Sequence, residues 1–115
     1  MEISKELASS VLGINVAYTE ICEHRDNIIG IWTDMNTKPI KEINLYEFAY
    51  KCKVWVFNKY KIYLSSEIGE DSEVSLFWTA NFKIKKENKS FYGDTEIEAI
   101  IKACEWILKE LNEKI

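Results

Sequence analysis

Six apolar residues recur at every second position in Val74, Leu76, Trp78, Ala80, Phe82 and Ile84, with Ser75, Thr79, Asn81 and Lys83 among the residues between them. Successive side chains of an extended chain point to opposite faces, so this spacing predicts a strand with one buried face. Residues 60–68 alternate in the same way, and Gly69-Glu70-Asp71-Ser72-Glu73 between the two runs supplies a glycine and three acids. A hairpin over 60–84 follows. A strand apolar on one face must bury it against another layer, which the rest of the chain has to provide.

Helical spacing supplies that layer. Ile97, Ile100, Ile101, Cys104, Ile107, Leu108 and Leu111 form an apolar stripe that continues towards Ile115. Thr95 and Glu98 at its start have the spacing of a capping box, which satisfies backbone donors left free at a helix N-terminus. Asn44 can cap an earlier helix that runs through Tyr60, with Leu45, Phe48, Ala49, Cys52, Trp55 and Val56 on its core face. Ile3, Leu7, Ala8, Val11 and Leu12 predict a short first helix, with Ser4 as its N-cap and Gly13 placed to end it. Residues 14–22 and 28–33 read as a first hairpin around His24-Arg25-Asp26-Asn27, and residues 34–42, with the sole proline Pro39, read as a connection. The expected fold is α+β, a single domain over residues 1–115 in the order α-β-β-α-β-β-α, with an antiparallel four-stranded sheet and packed helices.

Composition narrows the function classes. In 115 residues there are 15 Lys+Arg against 19 Asp+Glu, a formal charge of −4, and the basic residues are scattered. Phosphate contacts are made largely by Lys and Arg, so nucleic acid is not an expected partner. The cluster Lys83, Lys85, Lys86 and Lys89 reads as the solvated end of a strand and its turn. No stretch reaches the roughly 20 apolar residues of a membrane span, and the N-terminus lacks the pattern of a signal peptide. A cytoplasmic protein with no membrane partner is expected.

The residues that could carry chemistry each have a simpler reading. Cys22, Cys52, Cys104 and His24 would in principle make a zinc set. Cys52 and Cys104, however, lie on the core stripes of two helices, where cysteine acts as a small buried hydrophobe. They are expected to be reduced, separate and metal-free. Cys22 and His24 are two residues apart, which on a strand allows a thiol–imidazole contact and hence a cryptic hydrolase. With His24 in a solvated turn and no third group or oxyanion donor in view, no enzyme and no cofactor is expected. Neither GxxxxGK[ST], GxGxxG nor HExxH occurs.

The aromatic distribution says more. Tyr46, Tyr50, Val54 and Phe57 form a second apolar stripe on the middle helix, rotated about 100° from its core stripe. Such a stripe is either covered by the chain itself or forms an interface, where tyrosine is enriched. Tyr46, Tyr50 and Phe57 are therefore the candidate partner-binding residues, with the acidic turn Glu70, Asp71 and Glu73 as a second candidate patch.

The segments 44–53 and above all Thr95-Glu96-Ile97-Glu98-Ala99-Ile100, followed by Lys102-Ala103-Cys104-Glu105-Trp106-Ile107-Leu108, resemble small phage and prophage proteins. The arrangement is similar to the phage ABA-sandwich domain, whose closing helix carries the pattern T-x-x-E-A-I. The resemblance implies origin in a mobile element and, with the small acidic character, an inhibitor of a host defence protein such as a CRISPR effector. That family supplies no catalytic or binding residues to carry over. A host protein or a second copy of the chain is thus the expected partner; the alternative is a small-ligand or nucleotide-binding sequestering protein with its pocket between sheet and helices.

Overall fold

A computed structural model of the chain describes residues 1–22, 27–34, 38–80 and 83–112. The turn residues 23–26 with His24, the positions Asn81 and Phe82, and the final residues 113–115 of the expected last helix lie outside them. The fold is α+β with antiparallel strand pairing, and it divides into two compact units, Met1–Lys51 and Cys52–Ile115.

The first unit begins with α1 (Lys5–Leu12). Ser4 Oγ accepts from the Leu7 N–H at 3.0 Å, and Gly13 ends the helix at φ 71°, a left-handed conformation that glycine adopts without a Cβ penalty. Strands β1 (Tyr18–Cys22), β2 (Ile28–Trp32) and β3 (Lys41–Asn44) follow and make a sheet in the order β1-β2-β3. Ile29 and Ile31 of the central strand are fully buried, and the partners run Tyr18↔Trp32 to Cys22↔Ile28 on one side and Ile29↔Ile43 on the other. The Thr19 hydroxyl donates to the Ile3 carbonyl at 2.7 Å, tying β1 to the segment before α1.

Helix α2 (Leu45–Tyr60) starts in the first unit and ends in the second. Asn44 Oδ1 accepts from the Tyr46 N–H at 2.7 Å, the cap its side chain was expected to supply. In the second unit β4 (Ile62–Ile68), β5 (Ser72–Ala80) and β6 (Lys83–Gly93) form a sheet in that order. β4 and β5 pair without interruption from Ile62↔Trp78 to Ile68↔Ser72, whereas the β5–β6 register shifts between Ser75 and Phe77. Helix α3 (Glu96–Asn112) lies on this sheet, with Ile100, Ile101, Cys104 and Ile107 buried. Thr95 Oγ1 accepts from the Glu98 N–H at 3.2 Å, while the Glu98 carboxylate pairs with Lys102 at 3.2 Å.

Among the described residues the expected four-stranded sheet is thus replaced by two three-stranded sheets, because each hairpin gains a strand. β3 falls where a connection was expected: it is four residues long and buries only Ile43, too little to register as alternation. β6 was concealed by a period that carries across a reversal of the chain. Ala80 pairs with Lys83 and Thr79 with Ile84 in an antiparallel ladder, and Ile84 is 75% exposed rather than on the buried face.

Candidate functional site

Helix α2 carries two apolar faces with opposite fates. Its core face, Leu45, Phe48, Ala49, Cys52 and Val56, is buried, as helical spacing requires. Its second stripe is exposed: Tyr46 by 66%, Tyr50 by 68%, Val54 by 40% and Phe57 by 46%. Tyr46 and Tyr50 belong to the first unit and Val54 and Phe57 to the second. Lys61 Nζ sits 5.7 Å from the centroid of the Phe57 ring, in cation–π range.

The acidic patch is split by secondary structure. Glu70 and Asp71 form the exposed β4–β5 turn, closed by a bond from the Gly69 N–H to the Asp71 carbonyl at 3.0 Å. Glu73 lies on β5 opposite Glu67 and accepts from the Tyr92 hydroxyl at 3.4 Å. None of the three lines the cleft beside Phe57.

That cleft, of about 690 Å³, lies between sheet and helices, where the alternative reading put a pocket without naming its residues. Lys53, Val54, Phe57 and Asn58 of α2, residues 62–66 of β4 and Glu96 at the start of α3 line it. Its floor is apolar, through Ile62 and Leu64. At its polar end Glu96 Oε1 accepts from Lys53 Nζ at 3.4 Å and from the Ser66 hydroxyl at 3.3 Å. These residues come from three segments up to 43 positions apart, and no local pattern joins them. A second cleft of about 480 Å³ lies in the first unit, between the N-terminal segment and β1.

Cys52 and Cys104 are fully buried and unbridged. The expectation that they stand apart is corrected: the Cys52 and Cys104 side chains are within hydrogen-bonding reach of each other. That contact, together with burial, pushes the Cys52 thiol well above its ordinary range, the reverse of an activated nucleophile. Cys22 is half-buried on β1, and its pairing with His24 lies outside the described residues. Among the described residues no three His, Cys, Asp or Glu side chains converge as metal ligands, and no helix is long and apolar enough to cross a membrane.

Comparison with protein-family models, curated proteins and solved structures gives no match to this chain.

Proposed function

We propose that this chain is a small non-enzymatic protein-binding module of phage or prophage origin that inhibits a host defence protein such as a CRISPR effector. The observation that supports binding is the exposure of Tyr46, Tyr50 and Phe57 on a helix whose core face is already complete. Tyrosine contributes large contact area at low entropic cost, and an exposed row of such rings is characteristic of a contact surface. The phage origin and the defence-protein target rest on the resemblance of the 95–108 segment, and the acidic turn Glu70, Asp71 and Glu73 is the secondary contact.

The test is affinity capture from a host lysate with the chain and with the double variant Tyr50→Lys, Phe57→Lys. Both side chains are exposed, so the variant keeps its fold and melting temperature while capture is lost. If it unfolds, the stripe is core and the reading fails; equal capture by both proteins overturns it as well.

The cleft beside Phe57 supports a second reading, sequestration of a small ligand, since clefts of this size hold ligands. Its polar end is already engaged internally, Lys53 and Ser66 both donating to Glu96, and the exposed aromatic row favours the protein partner.

A further inference from the structure

An unpaired strand edge presents a row of free N–H and C=O groups, and proteins blunt such edges with charges, bulges or shortness. The four sheet edges among the described residues differ in this respect. β1 carries Glu20 at its centre, and β3 has four residues, including Lys41 and Glu42. β6 carries Lys83, Lys85, Lys86 and Lys89, and its register with β5 is shifted. β4 has none of these features over Ile62, Tyr63, Leu64, Ser65 and Ser66: no charge, no proline and an unbroken register with β5.

The direction of its backbone groups follows from one bond. The Thr79 N–H donates to the Lys61 carbonyl at 2.9 Å, so that carbonyl faces β5. In an antiparallel ladder the direction alternates by residue. The groups of Tyr63, Ser65 and Glu67 therefore face β5 too, and those of Ile62, Leu64, Ser66 and Ile68 face outward. The cleft along α2 leaves about 690 Å³ beside this edge, with Val54 and Phe57 exposed along it.

Charge selects the occupant. The N-terminal end of β4 is flanked by Lys59 and Lys61, and its C-terminal end by Glu67, Glu70 and Asp71. Such an edge is complementary to itself when one copy runs antiparallel to the other, the relation a two-fold axis imposes. We propose that the outer edge of β4 is a self-association surface, on which β4 of a second copy pairs antiparallel about Leu64. Leu64 then exchanges hydrogen bonds with its own counterpart and Ile62 with Ser66. Lys61 of each chain stands opposite Glu67 of the other, on the same sheet face as Tyr63. Sliding one strand by two residues in either direction loses this match: Lys61 then faces Gly69 or Ser65. The inference goes beyond the α2 reading, since it uses neither Tyr46 nor Tyr50 and stands even if they bind nothing.

Sedimentation velocity up to about 100 µM tests it, a range in which a weak but specific dimer is visible. The expected result is a two-chain mass for the native protein. Glu67→Lys raises the dissociation constant by about tenfold or more, because two attractive pairs become repulsive. The swap Lys61→Glu with Glu67→Lys restores association to within about threefold of the native value. Ser66→Pro removes an outward N–H that β5 does not use, and it too weakens the dimer while the fold persists. Glu67→Lys cannot act by unfolding, since Glu67 faces the like charge of Glu73 within the sheet and its melting temperature should hold or rise. A monomer throughout this range overturns the proposal and leaves the edge to an extended segment of another protein. A dimer indifferent to Glu67→Lys, or one the swap does not restore, overturns it equally. Phe57 borders both surfaces, so host-partner capture is read separately with Tyr50→Lys alone, which leaves the β4 edge untouched, and the two surfaces fail independently.

Discussion

The fold alters the chemistry of Cys52 through its neighbour Cys104. The hydrogen bond between them, and then burial, hold the Cys52 thiol above its ordinary value of 9.0. Above about pH 9 the unfolded chain releases this proton while the folded chain keeps it, so the unfolded state binds fewer protons and stability falls as pH rises. The contribution is complete below that pH and is lost progressively above it. Cys52→Ala should cost about 1–2 kcal/mol at neutral pH through lost burial. It should also remove up to about 1.4 kcal/mol per pH unit of the alkaline slope, read from melting curves between about pH 8 and pH 11. Identical slopes for native and variant protein would refute this account. Gly93 is constrained by space rather than charge: a Cβ there would lie 2.9 Å from the Ala99 backbone N and 2.9 Å from the Glu98 Cβ. The first of these is backbone in the opening turn of α3 and has no rotamer to yield. Gly93→Ala is expected to destabilise by about 1–3 kcal/mol in denaturant titration, and an unchanged midpoint would count against the close approach.

At the scale of elements, β5 is the strand on which the second sheet depends. Val74 and Leu76 are buried, and Trp78, next on the same face, is half-buried with its indole N–H donating to Glu87 Oε2 at 2.9 Å. Trp78→Ala removes both ring burial and that bond, for an expected cost of about 2–3 kcal/mol, below the full-burial range because the ring is partly wet. A folded variant with native melting would show that Trp78 is not structural. Elements announced by their own residues were readable in the sequence. Ser4, Gly13, Asn44 and Thr95 cap helices through atoms within a few residues of themselves, and the core stripes of α2 and α3 follow from helical period alone. Strands held by pairing rather than by a buried face were not readable. β6 exposes Ile84, Lys85, Lys86, Lys89 and Tyr92, so its place in the sheet depends on backbone bonds to β5. The same limit explains the candidate site. An apolar surplus on α2 was visible as spacing, but its exposure, and the cleft formed with β4 and Glu96, depend on residues far apart in the chain.

At the scale of the whole molecule, charge decides which partners are admissible. Lys83, Lys85, Lys86 and Lys89 lie on one strand and are the densest basic group, yet Lys85 and Lys86 are adjacent, and neighbouring residues of a strand point to opposite faces. Lys85 and Lys86 therefore lie on different sides of β6 instead of sharing one phosphate-binding track. Lys89 is further engaged over the rings of Phe91 at 5.5 Å and Trp106 at 5.1 Å. With a net charge of −4 the surrounding field repels a polyanion, and release of counterions, the main drive of non-specific binding, has few cations to act through. Labelled duplex and single-stranded DNA should show no retarded migration at about 10 µM protein and physiological salt, where non-specific binders of typical strength are already detected. A shift that vanishes when Lys85, Lys86 and Lys89 are changed to Gln would reverse this conclusion and make β6 a nucleic-acid surface. A protein partner held by Tyr46, Tyr50 and Phe57 should in contrast be nearly insensitive to salt, because apolar contact is not screened, while any share of the contact made by Glu70 and Asp71 should weaken as salt rises. The salt dependence of capture therefore separates the two candidate patches without a further substitution.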